Sequence, residues 1–249
     1  LINERIKLIM AYTTINKSDD YFNTKLYTGN GSYGHGITGV GFQPDLVWIK
    51  NRVDNADHRI FDAVRGTDKS LSSNNSNTTV TSVNFLHSFD SDGFTVDDDG
   101  AINTNNNAIC SWNWKANGAG SANTAGSISS TVSANTTAGF SIVKWYGTDA
   151  GATVGHGLGS VPKMIIAKNL DYGSAEWTVY HHSLGNNKMI QLSTTAAEAT
   201  NPDWNNISPT SLVFSVGAQG STNGLNQNII GYCFAEKQGY SKFGSYIGN

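Results

Sequence analysis

Charged residues are scarce in this sequence of 249 residues. Lys and Arg number 16 and Asp and Glu 19, together 14% of the chain, which leaves a formal net charge of −3. This balance lacks the basic surface that nucleic acids and anionic membranes attract. No apolar run approaches the roughly 18 residues of a transmembrane helix. We therefore expect neither a nucleic-acid partner nor membrane insertion.

Cysteine and proline are also rare, with 2 and 4 residues. Cys110 and Cys233 allow at most one bridge, and they do not occupy equivalent positions in the repeat described below. We therefore expect buried free thiols, because a disulfide framework or duplicated metal site needs more cysteines at matching positions.

Glycine and aromatic residues are abundant. The chain has 27 Gly and 6 Trp, and clusters of Asn, Ser, Thr and Gly separate short apolar runs. Runs such as "GFSIVKWY" (139–146) and "EWTVYH" (176–181) alternate with period two, as half-buried strands do, and no helical period of ten residues is found. The sequence predicts an all-β protein.

The chain also repeats itself. Pro44 and Pro162 are 118 residues apart, and the glycine-flanked His35 and His156 are 121 apart. "AICSWNW" (108–114) matches "NIIGYCF" (228–234) at an offset of 120. Nearly constant offsets indicate two diverged copies. We predict two tandem antiparallel β-sandwich repeats, jelly-roll-like, of roughly 100–120 residues each.

The domain prediction follows from these offsets. An N-terminal extension covers 1–17, with Met10 as the expected true start, and the first repeat covers 18–118. A Gly-, Ser- and Asn-rich linker covers 119–130, and the second repeat covers 131–238. Residues 239–249 resemble the entry of the first repeat and predict the start of a third.

Several motifs in fixed order resemble a known repeat family. They include "GFQPDLVWIKNR", "VGHGLGSVPKMIIAKN" and "GYCFAEKQGYSKFGSYIGN". They are similar to repeats of virion structural proteins in tailed phages, notably marine ones. The resemblance implies a virion surface protein made in the host cytoplasm, a tail-fibre or fibre-like component that can contact the host. It also implies a homo-oligomer, with a trimer expected, and other virion proteins as partners.

Two features invite a metal hypothesis. The Gly-His-Gly words at His35 and His156 fit either a ligand or a turn, and we favour a turn because no further ligand set is duplicated. Asp90, Asp92 and Asp97 offer oxygen ligands for a weak Ca²⁺ site. Their spacing matches no EF-hand loop, so we favour a solvated hairpin and expect no cofactor.

Catalytic motifs are not found. The sequence has no paired Glu motif, nucleophile elbow, Walker loop or zinc spacing. We therefore assign no catalytic residue and do not expect an enzyme, although polysaccharide depolymerase activity is one alternative function.

A carbohydrate-binding module or adhesin is the other alternative. Sugar sites use an aromatic face beside amide and carboxylate groups, and two loops offer them: Asp203, Trp204, Asn205 and Asn206 in the first, and Asp171 and Tyr172 in the second. We favour the competing interpretation, which folds Trp204 beneath its own loop. A host-surface glycan is the partner that this alternative predicts.

Overall fold

A computed structural model describes residues 12–248. The protein is all-β, with 41% of residues in strands and 6% in helices. The expected start at Met10 lies outside the described residues.

The N-terminal unit contains strands β1 to β9, one 3₁₀ turn (Ser18–Asp20) and the short helix α1 (Gly100–Asn103). The strands are β1 (Phe22–Thr28), β2 (His35–Thr38), β3 (Leu46–Asn51), β4 (Arg59–Asp62), β5 (Gly66–Leu71), β6 (Val80–Thr81), β7 (Leu86–Asp90), β8 (Gly93–Val96) and β9 (Ala108–Trp114).

The C-terminal unit contains strands β10 to β19, one 3₁₀ turn (Pro202–Trp204) and the short helix α2 (Gly220–Asn223). The strands are β10 (Ser121–Asn123), β11 (Ser130–Asn135), β12 (Phe140–Tyr146), β13 (Ala152–Gly155), β14 (Pro162–Asn169), β15 (Thr178–His181), β16 (Lys188–Gln191), β17 (Ala199–Thr200), β18 (Val213–Val216) and β19 (Asn228–Ala235).

Each unit consists of one large and one small antiparallel sheet. The N-terminal unit has a large sheet in the order β1-β9-β3-β4-β5-β6 and a small one in the order β2-β8-β7. The C-terminal unit has a large sheet in the order β10-β11-β12-β19-β14-β15-β16-β17 and a small pair, β13-β18. Alternate strand residues point inward, so each large sheet packs one face against its own small sheet.

The two large sheets have matching registers. In the N-terminal unit Trp114 lies opposite Phe22 on one side and Leu46 on the other. In the C-terminal unit Phe234 lies between Phe140 and Met164 in the same way. The sequence offsets therefore correspond to equivalent positions in the two sheets.

The second faces of the two large sheets pack against each other. A third apolar cluster joins Leu46, Ile60 and Leu71 of the N-terminal unit to residues such as Ile142 and Ile230 of the C-terminal unit. The layer order is therefore small sheet, large sheet, large sheet, small sheet.

Two predicted segments differ from the structure. The prediction of a flexible linker over 119–130 is wrong for residues 121–123, which form β10 and pair with β11. Residues 239–248, predicted to begin a third repeat, contain no strand.

In the described range no helix is long and apolar enough to cross a membrane.

Candidate functional site

The duplicated Lys-Asn pairs hold loops together. The Lys168 ammonium is fully buried and donates to the carbonyl oxygens of Ser76, Asn169 and Ala175 at 2.8 to 3.0 Å. Lys50 donates in the same way to the carbonyls of its neighbour and of Ala56, at 2.7 and 2.9 Å. Burial lowers the pKa of Lys168 to about 8. These lysines serve the fold and not an exposed site.

The Gly-His-Gly words lie at strand ends, because His35 begins β2 and His156 directly follows β13. His156 is fully buried; its Nδ1 accepts the Leu158 N–H and its Nε2–H donates to the Thr210 carbonyl, both at 3.2 Å. Gly157 follows with a φ of +70°, which glycine adopts without strain. Burial lowers the pKa of His156, so the neutral ring that these two bonds require is favoured. His35 lies 2.9 Å from the side-chain oxygen of Asn103.

The carboxylates of the Ca²⁺ hypothesis bind separate donors. Asp90 accepts the Thr95 hydroxyl at 2.8 Å, and Asp97 accepts the Gly34 N–H at 3.0 Å. Asp92 accepts two further backbone N–H groups, which lower its pKa. Among residues 12–248 there is no group of three or more His, Cys, Asp or Glu placed to hold a metal ion.

The first glycan-binding loop turns inward. Trp204 is only 1% exposed and packs on Tyr180 and Phe214. Asp203 is fully buried and accepts the hydroxyl of Ser221. Neither Trp204 nor Asp203 therefore presents a surface to a sugar in this conformation, which agrees with the interpretation that folds Trp204 beneath its own loop. The apolar ring gains more by completing the core than it would on a loop.

The remaining glycan-binding candidates lie nearer the surface. Asn205 and Asn206 form a left-handed turn with φ of +52° and +53°. Asp171 is held by the backbone N–H and amide of Asn228 at 2.7 and 2.9 Å. Tyr172 is 48% exposed and lies beside Gly220, the residue preceding the Ser221 that binds Asp203. The two predicted loops therefore meet at α2, with Tyr172 as their exposed aromatic ring.

A larger candidate site lies between the two large sheets. It is a partly open cavity of about 520 Å³, to which both units contribute. Its walls are mainly aromatic and aliphatic: Phe22, Leu46, Trp48, Ile60 and Trp114 from the N-terminal unit, and Phe140, Met164, Ile166, Trp177, Tyr232 and Phe234 from the C-terminal unit. We refer to it as the intersheet cavity.

Aromatic rings form the continuous part of this wall. Ring centroids of Phe22 and Trp114 are 4.8 Å apart, and those of Phe140 and Phe234 are 5.1 Å apart. Trp114 bridges the sheets, with its centroid 6.3 Å from Phe140. These distances are typical of tilted and edge-to-face aromatic packing.

Three polar groups of the mainly apolar wall have hydrogen-bond partners. Trp48 donates its indole N–H to His58 at 2.9 Å, and Trp177 donates to the Ser72 carbonyl at 2.8 Å. The Tyr232 hydroxyl donates to a carboxylate outside the cavity at 2.8 Å. The intersheet cavity therefore presents an apolar surface.

Comparison with known protein families gives a match that covers both units. Residues 17–249 match the family described as "Domain of unknown function (DUF7483)". The chain belongs to the DUF7483 family. The match spans both units, so the family's domain includes the intersheet cavity. No curated protein and no solved structure matches the chain.

The mouth of the cavity in this DUF7483 domain is bordered by residues 240–243. The Phe243 N–H donates to Glu236 at 3.0 Å, and its carbonyl accepts the Nε2–H of His182 at 3.2 Å. Lys237 and Lys242 line a shallow depression at the same place. A cationic rim therefore borders the apolar cavity.

The intersheet cavity was not predicted because its lining residues come from two distant segments. A usable signal was nevertheless present. Phe22, Trp48, Trp114 and Phe234 alternate with the residues that face the small sheets, so both faces of these strands carry apolar groups. Strands that are apolar on both faces indicate a sheet covered on both sides.

Proposed function

We propose that this chain is a structural module of a phage virion surface, part of a tail-fibre or fibre-like component. In this proposal its two units are tandem β-sandwich repeats packed into one block. The motif order supports the family resemblance, and the equivalent registers of Trp114 and Phe234 support duplication. A trimer, other virion proteins and the host surface are the proposed partners, and the virion is the proposed location.

The observation that carries the proposal is a hydrogen bond from the C-terminal unit to a buried ion pair of the N-terminal unit. Asp62 of β4 accepts the Arg65 guanidinium at 2.5 Å and the Tyr232 hydroxyl of β19 at 2.8 Å. Asp62 and Arg65 are essentially inaccessible to solvent. A buried carboxylate that accepts a hydrogen bond from each unit favours one relative orientation, because separating the units would remove the bond from Tyr232.

Two more hydrogen bonds cross between the units. Trp177 donates to the Ser72 carbonyl and Lys168 to the Ser76 carbonyl, at 2.8 and 3.0 Å. With the apolar cluster between the sheets they favour a stiff block over two swinging domains. Stiffness of this kind suits a fibre or spacer that holds other parts of a particle at a fixed distance.

Mass spectrometry of purified particles tests the virion assignment. Particles of a phage encoding this sequence would be banded by density and digested, with host cytosol as the control. We expect peptides of this chain at a constant ratio to capsid protein across the band. Peptides restricted to the unassembled fraction would contradict a virion role. Light scattering of the isolated chain would then test the trimer.

A host-glycan contact has one observation in its favour, the exposed ring of Tyr172. The test is a glycan array with the parent chain, Tyr172→Ala and Tyr146→Ala. Tyr146 is 51% exposed and is not part of either predicted loop, which makes it a matched control. Binding lost only in Tyr172→Ala would support an adhesin role. Equal signals from all three proteins would exclude this loop.

A further inference from the structure

The intersheet cavity has the properties of a ligand site. Protein interiors pack with few voids larger than a water molecule, whereas small-molecule pockets measure roughly 300–1,000 Å³ and are mostly apolar. At about 520 Å³ this cavity lies within that range. Trp48, Trp114 and Phe234 on its wall are only half-buried, so they have apolar surface left to cover. The wall therefore fits an apolar chain or ring.

The rim supplies the second observation, which is charge. Lys242 borders the mouth of the cavity. Lys237 packs against Gly139, a residue of the wall: a Cβ atom placed on Gly139 would lie 3.1 Å from the Cγ of Lys237. In the described part of the chain neither lysine has a carboxylate within 4.0 Å. Glu236 lies in the same depression, and the Phe243 N–H together with nearby Lys163, His182 and Lys242 lowers its pKa, so this carboxylate remains ionised. With two lysines against one carboxylate, the depression still has an excess of positive charge to offer a ligand.

We propose that the intersheet cavity binds a free single-chain amphiphile with an anionic headgroup, such as a medium-chain carboxylate. The acyl chain lies between the two large sheets, and the headgroup is held at the rim by Lys237 and Lys242. Charge complementarity selects this ligand over a neutral apolar one. The inference does not depend on the virion assignment, because it concerns only the cavity and its rim.

Chain length gives the first quantitative expectation. Each methylene buried in the cavity should tighten binding about fourfold. Octanoate, decanoate and dodecanoate should therefore bind with steadily falling Kd until the cavity is full. Dodecanol, which has the same chain without the charge, should bind more weakly than dodecanoate. Octanoate binding as tightly as dodecanoate would overturn the proposal.

Tryptophan fluorescence reports occupation of the cavity directly. Trp48, Trp114 and Trp177 line the wall, so a terminally brominated dodecanoate should quench them on binding. The quenching should be reversed by unlabelled dodecanoate. Absence of quenching at saturating probe would overturn the proposal, as would binding to phosphatidylglycerol vesicles without binding of monomeric dodecanoate.

Two variants test the two halves of the site. Lys237→Glu combined with Lys242→Glu should weaken dodecanoate binding by about tenfold and leave dodecanol unchanged. Lys144→Glu, on β12 and outside the cavity lining, is the matched charge control and should leave dodecanoate binding unaltered. Equal weakening of carboxylate and alcohol would overturn the headgroup assignment.

Met164→Trp should narrow the cavity and weaken binding of both ligands. Near-ultraviolet circular dichroism checks that this variant is folded, and Met164→Leu, which leaves space, should retain binding. If the folded Met164→Trp variant binds dodecanoate as the parent does, the ligand lies elsewhere and the proposal fails.

Discussion

At the scale of single residues, the same side chain is used at different depths in the two units. Lys168 is fully buried, whereas Lys50 is half-buried, yet both ammonium groups donate to carbonyls of the loop that follows their strand. The carbonyls that accept hydrogen bonds from Lys50 are closer to solvent, so water can replace part of the hydrogen bonding that is lost when Lys50 is substituted. The two positions form a natural comparison.

Lys168→Met should lower the free energy of unfolding by about 1–3 kcal/mol, because three carbonyl acceptors lose their donor in a buried site. Lys50→Met should cost less, about 0.5–1.5 kcal/mol. Urea unfolding of both variants and the parent measures the difference. Equal losses of unfolding free energy would show that the cost of replacing the lysine does not depend on its burial.

His156 predicts a dependence on pH. Burial lowers its pKa below the ordinary 6.5, so beneath pH 6.5 the unfolded chain binds a proton that the folded chain does not. The contribution of His156 to the free energy of unfolding should therefore decrease as the pH falls from 7 to 5. His156→Gln should be less stable than the parent at pH 7 but should lose less stability over that range.

The control is His35→Gln at the equivalent position, where the histidine is only half-buried. Comparison of the two variants separates the loss of the buried imidazole from the loss of a histidine as such. If His156→Gln keeps the parent's dependence of unfolding free energy on pH in urea titrations, the buried imidazole does not carry the acid sensitivity.

At the scale of elements, the two units differ at one sheet edge. Strand β12 pairs with β19 on one side and with β11 on the other. Its counterpart β1 pairs with β9, and within residues 12–248 no strand pairs with its other edge. Lys25 lies on β1, and a charged residue on an edge strand discourages pairing with other chains.

Hydrogen exchange should separate these strands. Amides of β1 that point away from β9 lack a strand partner, whereas β12 amides are bonded on both sides, so peptides covering 22–28 should exchange faster than those covering 140–146. Mass spectrometry of the native chain measures both. Equal protection would mean that another chain covers the β1 edge in solution.

The sequence predicted the positions of several strands and missed others. Alternation located β12 and β15, and the offsets anticipated that Trp114 and Phe234 are equivalent. The short β10 was missed because its Ser-Ala-Asn sequence has no apolar side chain larger than that of alanine and forms a strand only by adding to β11. The burial of Trp204 agrees with the interpretation that folds this ring beneath its own loop, although a polar loop sequence does not fix the direction of one ring.

At the scale of the whole molecule, the sequence did not show that the two large sheets pack face to face against each other. Apolar residues such as Ile60 and Ile142 fit the core of a single sandwich as well as they fit an interface between two. Nothing in their local pattern tells which sheet lies opposite, because packing between distant segments leaves no periodic signal. The intersheet cavity was missed for the same reason.

The contact between the sheets predicts cooperative unfolding. Because the apolar cluster and the hydrogen bond from Tyr232 to Asp62 join the units, thermal or urea unfolding should show one transition by both fluorescence and circular dichroism. Tyr232→Phe removes one hydrogen bond to a charged acceptor and should cost about 1.5–3 kcal/mol. Asp62→Asn should cost more, about 3–5 kcal/mol, because it leaves the Arg65 charge buried without its counter-ion.

Tyr146→Phe, at an exposed tyrosine, is the control and should leave stability unchanged. Both the number of transitions in the unfolding curve and the midpoint of the curve are informative. If the parent unfolds in two separate steps, or if Tyr232→Phe lowers the stability of the C-terminal unit alone, the units are independent domains. A rigid block requires instead that a change on β19 shift the unfolding of both units together.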